Sequence, residues 1–402
     1  MAASWSIIAV LPLALWLYLT CFRGGFWRAA ERLGDDPAEP AAWPEVVAIV
    51  PARDEADTIG EAVGSLLRQD YPGRFSIIVV DDQSEDGTAA VARATAAAAD
   101  AAHSLTVVRS APLPEGWTGK VWAMATGVRL ADERHAGARL LLFTDADIAH
   151  PPAGLRRLVA KAEAEQLDLI SLMALLAKQG AWQALLIPAF VFFFQKLYPF
   201  PWVNDPSRRT AAAAGGCMLV RAKTLQCAGG LATIRAAVID DCALARLIAD
   251  GGGRLWLGLG LETRGLRPYD GLGGVWRMVA RSAYSQLGYS PWALAGTVAG
   301  MAVAYLLAPL LVLGWPWHDD AVALTLALAA WGLMALSFRS TLALYGKGPQ
   351  MAPLLPLAGL LYTLMTIDSA YRHARGRGAA WKGRVGVGHR RSKRLEHRRR
   401  SG

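Results

Sequence analysis

Two carboxylates one residue apart, Asp145 and Asp147, follow the apolar run Leu140–Phe143 and precede Pro151. Acids this close repel each other unless a cation lies between them. Hard divalent cations such as Mg2+ or Mn2+ take oxygen ligands, keep several waters and complete their shell with phosphate oxygens. Asp-x-Asp at a strand end is thus a candidate metal–diphosphate site, with an ordinary Asp-rich turn as the plain alternative. Further groups of the same kind accompany it. Asp81 and Asp82 end an apolar run shortly before Gly87, where a carboxylate can accept from a nucleotide base N–H or a ribose hydroxyl. Lys120 stands at a helix start, where its charge and the free N–H groups both suit a phosphate. Gly215 and Gly216 let a ligand approach the backbone. Asp240 and Asp241 open an amphipathic segment. They suit the helix dipole there, and a carboxylate in that place can also take a proton from an attacking hydroxyl.

The elements that must position these residues alternate in type. Residues 46–51, 75–82, 105–110 and 138–147 read as buried strands, and 55–72, 88–102 and 120–133 as helices. This alternation predicts an α/β domain with a mostly parallel sheet. Ligands of such sheets bind beyond the carboxyl ends of the strands. The acids cluster there: Asp54 after the first strand, Asp81 and Asp82 after the second, Asp145 and Asp147 after the fourth.

The remainder of the 402 residues is apolar, and the mean hydropathy is +0.26. Trp5–Phe22, Ser282–Trp317, Ala321–Phe338 and Met351–Ile367 carry no charge. Each is long enough for a membrane span, which needs roughly 17–25 residues. The first lacks a basic n-region and a small-residue cleavage site, so it reads as a retained anchor rather than a signal peptide. Residues 181–202 are apolar but broken by prolines; a full span is open to them, and the preferred reading is an interfacial helix or one that lines an acceptor entrance. Residues 372–402 hold twelve Lys or Arg against one Glu, so the rest of the chain is slightly acidic despite a net charge of +9. That tail reads as a polybasic segment drawn to anionic lipid, not as a nucleic-acid binder. The four cysteines show no CxxC spacing and fit a reduced compartment.

The segment VAIVPARDEADTIGEAVGSLLRQDYPGRFSIIVVDDQSEDGT resembles the opening of family 2 glycosyltransferases of the GT-A fold. The Gly-Lys element, Asp-x-Asp, Gly-Gly and acidic pair follow in that family's order. Flanked by apolar segments, the layout is most similar to the bacterial hopanoid-associated membrane glycosyltransferases. The resemblance implies an anchor at 1–22, a linker at 23–45, a GT-A domain at 46–270 and an amphipathic segment at 271–290. Spans at about 292–316, 320–340 and 351–370 would follow, then the basic tail at 372–402.

The resemblance also implies roles. Pro51, Asp54, Glu55, Asp82, Lys120 and Asp145 would border a nucleotide-sugar, a UDP-sugar first of all. Asp145 and Asp147 would bind Mg2+ or Mn2+. Gly215, Gly216 and Asp240 would lie toward the acceptor, and Asp241 would be the base. Asp240 stands where the family has Glu. Arg277 and Arg281 depart from the spacing of processive members and lack their Trp, which argues against a polymer synthase; they are candidate diphosphate contacts. The activity implied is inverting transfer of a sugar to a lipid, of hopanoid or isoprenoid type. A degenerate membrane scaffold and a sugar nucleotidyltransferase are the competing readings. The implied location is a bacterial-type cytoplasmic membrane, multi-pass, with the catalytic domain facing the cytoplasm. Three C-terminal spans would export the basic tail against the positive-inside rule, whereas two, or four counting another segment, would retain it; Met351–Ile367, which holds Pro353 and Pro356, is open to a re-entrant or interfacial reading.

Overall fold

The structure, a computed structural model, describes residues 2–34, 38–177, 180–376, 380–381 and 384–385. Part of the linker and most of the basic tail lie outside the described residues. The chain divides into two compact units. One comprises Glu31–Leu176, Val203–Arg267 and Ala379–Gly402; the other comprises Met1–Ala30, Ala177–Trp202 and Pro268–Gly378.

The first unit is built on a sheet of β1 (Val46–Ala52), β2 (Phe75–Asp81), β3 (Leu105–Arg109), β4 (Leu140–Thr144), β5 (Ile148–Ala149), β6 (Leu169–Leu175), β7 (Cys217–Arg221) and β8 (Leu255–Gly265). Their spatial order is β3-β2-β1-β4-β7-β6-β8-β5. The β3-β2-β1-β4 half is parallel, joined by helices Ala56–Leu67, Thr88–Ala98 and Gly119–Arg134. Every residue of β1 is buried, as expected of a strand covered on both faces. Pro51 sits within β1 without breaking the ladder to β4, because that pairing already ends at Ile49 and Phe143.

Beyond β4 the sheet becomes mixed. β7 runs antiparallel to β4, with Cys217 opposite Thr144. The amino end of β7 therefore lies beside the carboxyl end of β4, which sets Gly215 and Gly216 next to Asp145. β8 runs parallel to β6 and ends by pairing antiparallel with β5, Ile148 opposite Gly265. The first helix stops at Leu67, short of the residue before Pro72 that its spacing predicts. Gln69 and Asp70 turn instead to the backbone that follows the acid pair: Gln69 Nε2 donates to Pro151 O (2.9 Å) and Asp70 N to Pro152 O (2.8 Å).

The second unit is helical. Among the described residues five helices are long and apolar enough to cross a membrane: Trp5–Phe22, Ala181–Val203, Pro291–Leu313, Ala321–Leu344 and Pro349–Ala374. The Pro291–Leu313 helix has a π turn at Ala302–Leu306. Pro309 has no N–H to return to that turn, and Trp16 Nε1 donates to Ala304 O at 2.6 Å instead. Directions follow from internal contacts. Ala321–Leu344 returns antiparallel to Pro291–Leu313 after a short turn, burying Leu311 with Ala323 and Ala327. Leu355–Ala374 is also antiparallel to Pro291–Leu313: Gly359 packs on Tyr305, and His373 stacks on Tyr289 at 4.4 Å. Ala321–Leu344 and Leu355–Ala374 thus run the same way, and the ten residues between them climb back along the bundle. Trp331 Nε1 donates to Pro353 O at 3.1 Å, which marks how far they climb.

Candidate active site

The turns after β1 and β2 are locked together. Asp54 and Gln83 adopt φ of 50° and 58°, a left-handed conformation that disfavours side chains and recurs at functional turns. Asp54 N donates to Ser84 Oγ (3.0 Å), and Asp54 Oδ1 accepts from Glu85 N (3.0 Å). Asp86 ties two helix starts, accepting from Ala56 N (2.9 Å) and from Thr88 N (3.0 Å). Burial opposes the charged form of Asp86, but the bonds from Thr88 and these amides outweigh it and lower its pKa. Asp82 is fully buried. Its Oδ1 accepts from Ser110 Oγ at 2.6 Å, and the Arg53 guanidinium lies 3.9 Å from its Oδ2. Of Asp54 and Asp82, Asp54 is the one whose carboxylate reaches the surface, its side chain 37% exposed.

The centre lies at the junction of β4, β7 and the helix Asp240–Asp250. Lys120, in the first turn of Gly119–Arg134, places Nζ 2.8 Å from Asp145 Oδ1 and 3.1 Å from Asp240 Oδ2. Burial disfavours the charged amine. Asp145, Asp240 and Asp241 together outweigh that and hold its pKa well above the usual lysine range. Asp241 Oδ2 accepts from Gly215 N (2.9 Å) and its Oδ1 from Cys242 N (2.7 Å). Burial, then repulsion from Asp240, raise the Asp241 carboxyl to about 6 in spite of Lys120. A Cβ on Gly215 would lie 3.2 Å from Lys120 Nζ and 3.3 Å from Asp241 Oδ2, so glycine here is a matter of space.

Asp147 stands on the other side of Ala146. Burial raises its carboxyl to about 6, with Asp145 and Glu55 adding to the shift and Arg267 opposing it. Arg267 Nε lies 3.5 Å from Asp147 Oδ2, and Arg267 Nη2 is paired with Glu55. The β5–β8 ladder sets this up, for Leu266 N donates to Asp147 O at 2.7 Å.

A buried relay supports the strand end. The Gly216 carbonyl can only accept, so Thr144 Oγ1 donates to it at 2.8 Å. Thr144 must then accept from His150 Nε2, also at 2.8 Å. That fixes His150 as the Nε2–H tautomer, and burial lowers its pKa to about 4, so the ring is neutral.

The fold therefore brings Glu55, Lys120, Asp145, Asp147, Gly215, Asp240 and Asp241 into one linked group, with Asp54 and Asp82 on the neighbouring strand ends. Arg277 and Arg281 belong to helix Gly271–Gln286 of the helical unit. Sequence reasoning misses Arg267, Ser110 and the His150–Thr144 relay. Arg267 could have been sought as a basic residue at the end of the last strand. Among the described residues no three His, Cys, Asp or Glu form a metal cage. A cation here would have two carboxylates and would depend on ligand oxygens for the rest of its shell.

Residues 47–227 match the family model described as Glycosyl transferase family 2. Glycosyltransferase AglE of Haloferax volcanii is 30% identical over 128 residues, which is 32% of this chain and 38% of that protein. The 4,4'-diaponeurosporenoate glycosyltransferase of Staphylococcus aureus strain MRSA252 is 36% identical over 101 residues, 25% of this chain and 23% of that protein. The chain thus matches well under half the length of these relatives. A solved structure, the mannosyltransferase PcManGT from Pyrobaculum calidifontis in complex with GDP-Man and Mn2+, is 22% identical with a TM-score of 0.54, covering 93% of this chain and 99% of its own. That likeness establishes the fold, a GT-A-like mixed sheet. The matched segment, 181 of the 402 residues, is thus similar to the domain of that family.

Proposed function

We propose that the chain is a membrane-bound, inverting glycosyltransferase that moves a sugar from a nucleotide-sugar to a lipid acceptor. One observation carries the reading: Lys120 links the acid of the Asp-x-Asp pair to the acidic pair at 240–241, and Asp241 is fixed by a glycine amide beside it. In that arrangement the donor's diphosphate and the acceptor's hydroxyl would meet at one point.

The residues present fit a divalent cation. Glu55, Asp145, Asp147, Asp240 and Asp241 outnumber Lys120 and Arg267, and the pKa of Asp147 is raised first by burial and then by its acidic neighbours Asp145 and Glu55. Asp145 and Asp147 would hold Mg2+ or Mn2+, which when bound supplies charge neutralisation to the leaving diphosphate. Lys120 adds a fixed positive charge beside the same oxygens. Asp241 takes the proton of the acceptor hydroxyl, and the freed oxygen attacks the anomeric carbon opposite the nucleotide. The Gly215 amide holds Asp241 in place for that transfer. Asp54 and Asp82 support the nucleoside, Asp82 through its bond with Ser110. Pro51 and Glu55 flank that turn, and Gly216 borders the acceptor.

The candidate spans support a lipid acceptor, and so does the relative that acts on 4,4'-diaponeurosporenoate. An isoprenoid-type lipid, hopanoids included, is the acceptor class proposed. The test is nucleotide release by detergent-solubilised protein with UDP- and GDP-sugars, Mn2+ or EDTA, and a polar-lipid extract. Release that needs both metal and lipid is expected. Absence of nucleotide-sugar binding and of any metal-dependent turnover would overturn the reading.

A further inference from the structure

We infer that Arg267 is a built-in counter-ion of the acid pair, holding Asp147 until a divalent cation arrives together with a diphosphate. The inference rests on the proposed role of Asp145 and Asp147 as the metal-binding acids.

The two cations of the site divide the acids between them. Lys120 takes Asp145 and Asp240, while Arg267 takes Asp147 and Glu55. Each carboxylate of the Asp-x-Asp pair is therefore engaged by a different side chain of the protein. The two cations are held unequally. Lys120 is 19% exposed and lies 2.8 Å from its metal-pair acid; Arg267 is 41% exposed and lies 3.5 Å from its own. Arg267 is the exchangeable partner.

A guanidinium does not lose its proton, so it yields Asp147 only by moving. A bare divalent cation that displaced it would stay beside its charge and be repelled. A diphosphate changes the balance. It adds negative charge and offers oxygens whose geometry suits the guanidinium fork. Two features keep Arg267 at hand for that exchange. Glu55, 11% exposed, remains its partner when Asp147 is given up. The Leu266 N to Asp147 O bond (2.7 Å) keeps its backbone beside the acid whatever its rotamer. The arrangement predicts weak binding of free metal and cooperative binding of metal with nucleotide diphosphate.

The experiment measures Mn2+ binding to the full-length protein in detergent by the electron paramagnetic resonance of free Mn2+, without donor. Arg267→Gln is expected to bind Mn2+ about tenfold more tightly than the wild type, since one neighbouring positive charge is gone. Arg267→Lys, which keeps the charge, is expected to stay near the wild type. Arg267→Met replaces the Gln variant if the latter lacks a cooperative melt. Equal or weaker Mn2+ binding by the neutral variants, with binding abolished by Asp145→Asn, overturns the counter-ion role and leaves the metal site standing. Binding of Mn2+ by none of the proteins, with or without UDP, removes the metal site and the inference with it.

Discussion

As the proposed base, Asp241 would accept a proton near neutrality. Burial, and then Asp240, lift its carboxyl from the ordinary range to about 6, so it is ionised at pH 7 yet more basic than an exposed aspartate. Above pH 6 it accepts; below, it is already protonated and cannot. The value of kcat/KM should therefore fall on the acid side with an apparent pKa near 6. Asp147 also titrates near 6 without metal. A bound cation favours its ionised form, so saturating Mn2+ should move that step to lower pH and leave the Asp241 step in place. Asp241→Asn should lose at least about 10²-fold in kcat and its residual rate should lack the limb. Persistence of the limb in that variant would assign it elsewhere. Gly215→Ala tests the same centre by crowding. Its Cβ meets two side-chain ends, Lys120 Nζ and Asp241 Oδ2, both able to give way. The fold should hold, with a melting temperature close to that of the wild type, while kcat drops by about 10–100-fold because the base is displaced. An unchanged kcat would show that the position of Asp241 is not critical.

At the scale of elements, two antiparallel pairings decide what surrounds the acid pair. β7 against β4 brings Gly215 and Gly216, and β5 against β8 brings Arg267. The parallel half was legible in the sequence, because buried strands and amphipathic helices alternate there with clear apolar periods. The acids at its strand ends were legible for the same reason. Arg267 was not: β5 is two residues long, leaves no period to read, and its partner lies far along the chain. The His150–Thr144–Gly216 relay was hidden too, since each residue alone reads as ordinary turn or strand. Thr144→Val tests the relay. Valine keeps the shape and suits a strand, but it leaves the His150 Nε2–H and the Gly216 carbonyl without this partner at a site only 2% exposed. The expected loss is about 1–3 kcal/mol of stability, read from denaturant melts of the solubilised protein. A loss within experimental error would mean that both groups find other partners on relaxation.

For the whole molecule, connectivity limits how the candidate helices cross a membrane. Glu31–Leu176 and Val203–Arg267 form one compact unit, so Ala177–Trp202 leaves it and returns on the same side. One helix of this segment cannot make a net crossing, and Ala181–Leu197 is best read as interfacial or re-entrant. Pro349–Ala374 has the length and composition of a span, which is why sequence alone left the side of the tail open. Its internal contacts favour another reading. The chain climbs from Tyr345 to the level of Trp331, then Leu355–Ala374 runs back to place Asp368 on Trp276 and His373 on Tyr289. Such a segment enters and leaves on one side. Trp5–Phe22, Pro291–Leu313 and Ala321–Leu344 then remain as crossings, and Arg375 ends on the side of Gln286. That assignment puts Arg23, Arg28, Arg372 and Arg375 on one face, as the positive-inside rule asks. The check is single-cysteine labelling in intact and permeabilised cells, after the four native cysteines are replaced. Cysteines at Ser290 and Gly376 should react only after permeabilisation, and one at Asp319 should react in intact cells. Labelling of the Gly376 position in intact cells would instead make Pro349–Ala374 a full span and put the basic tail on the far side.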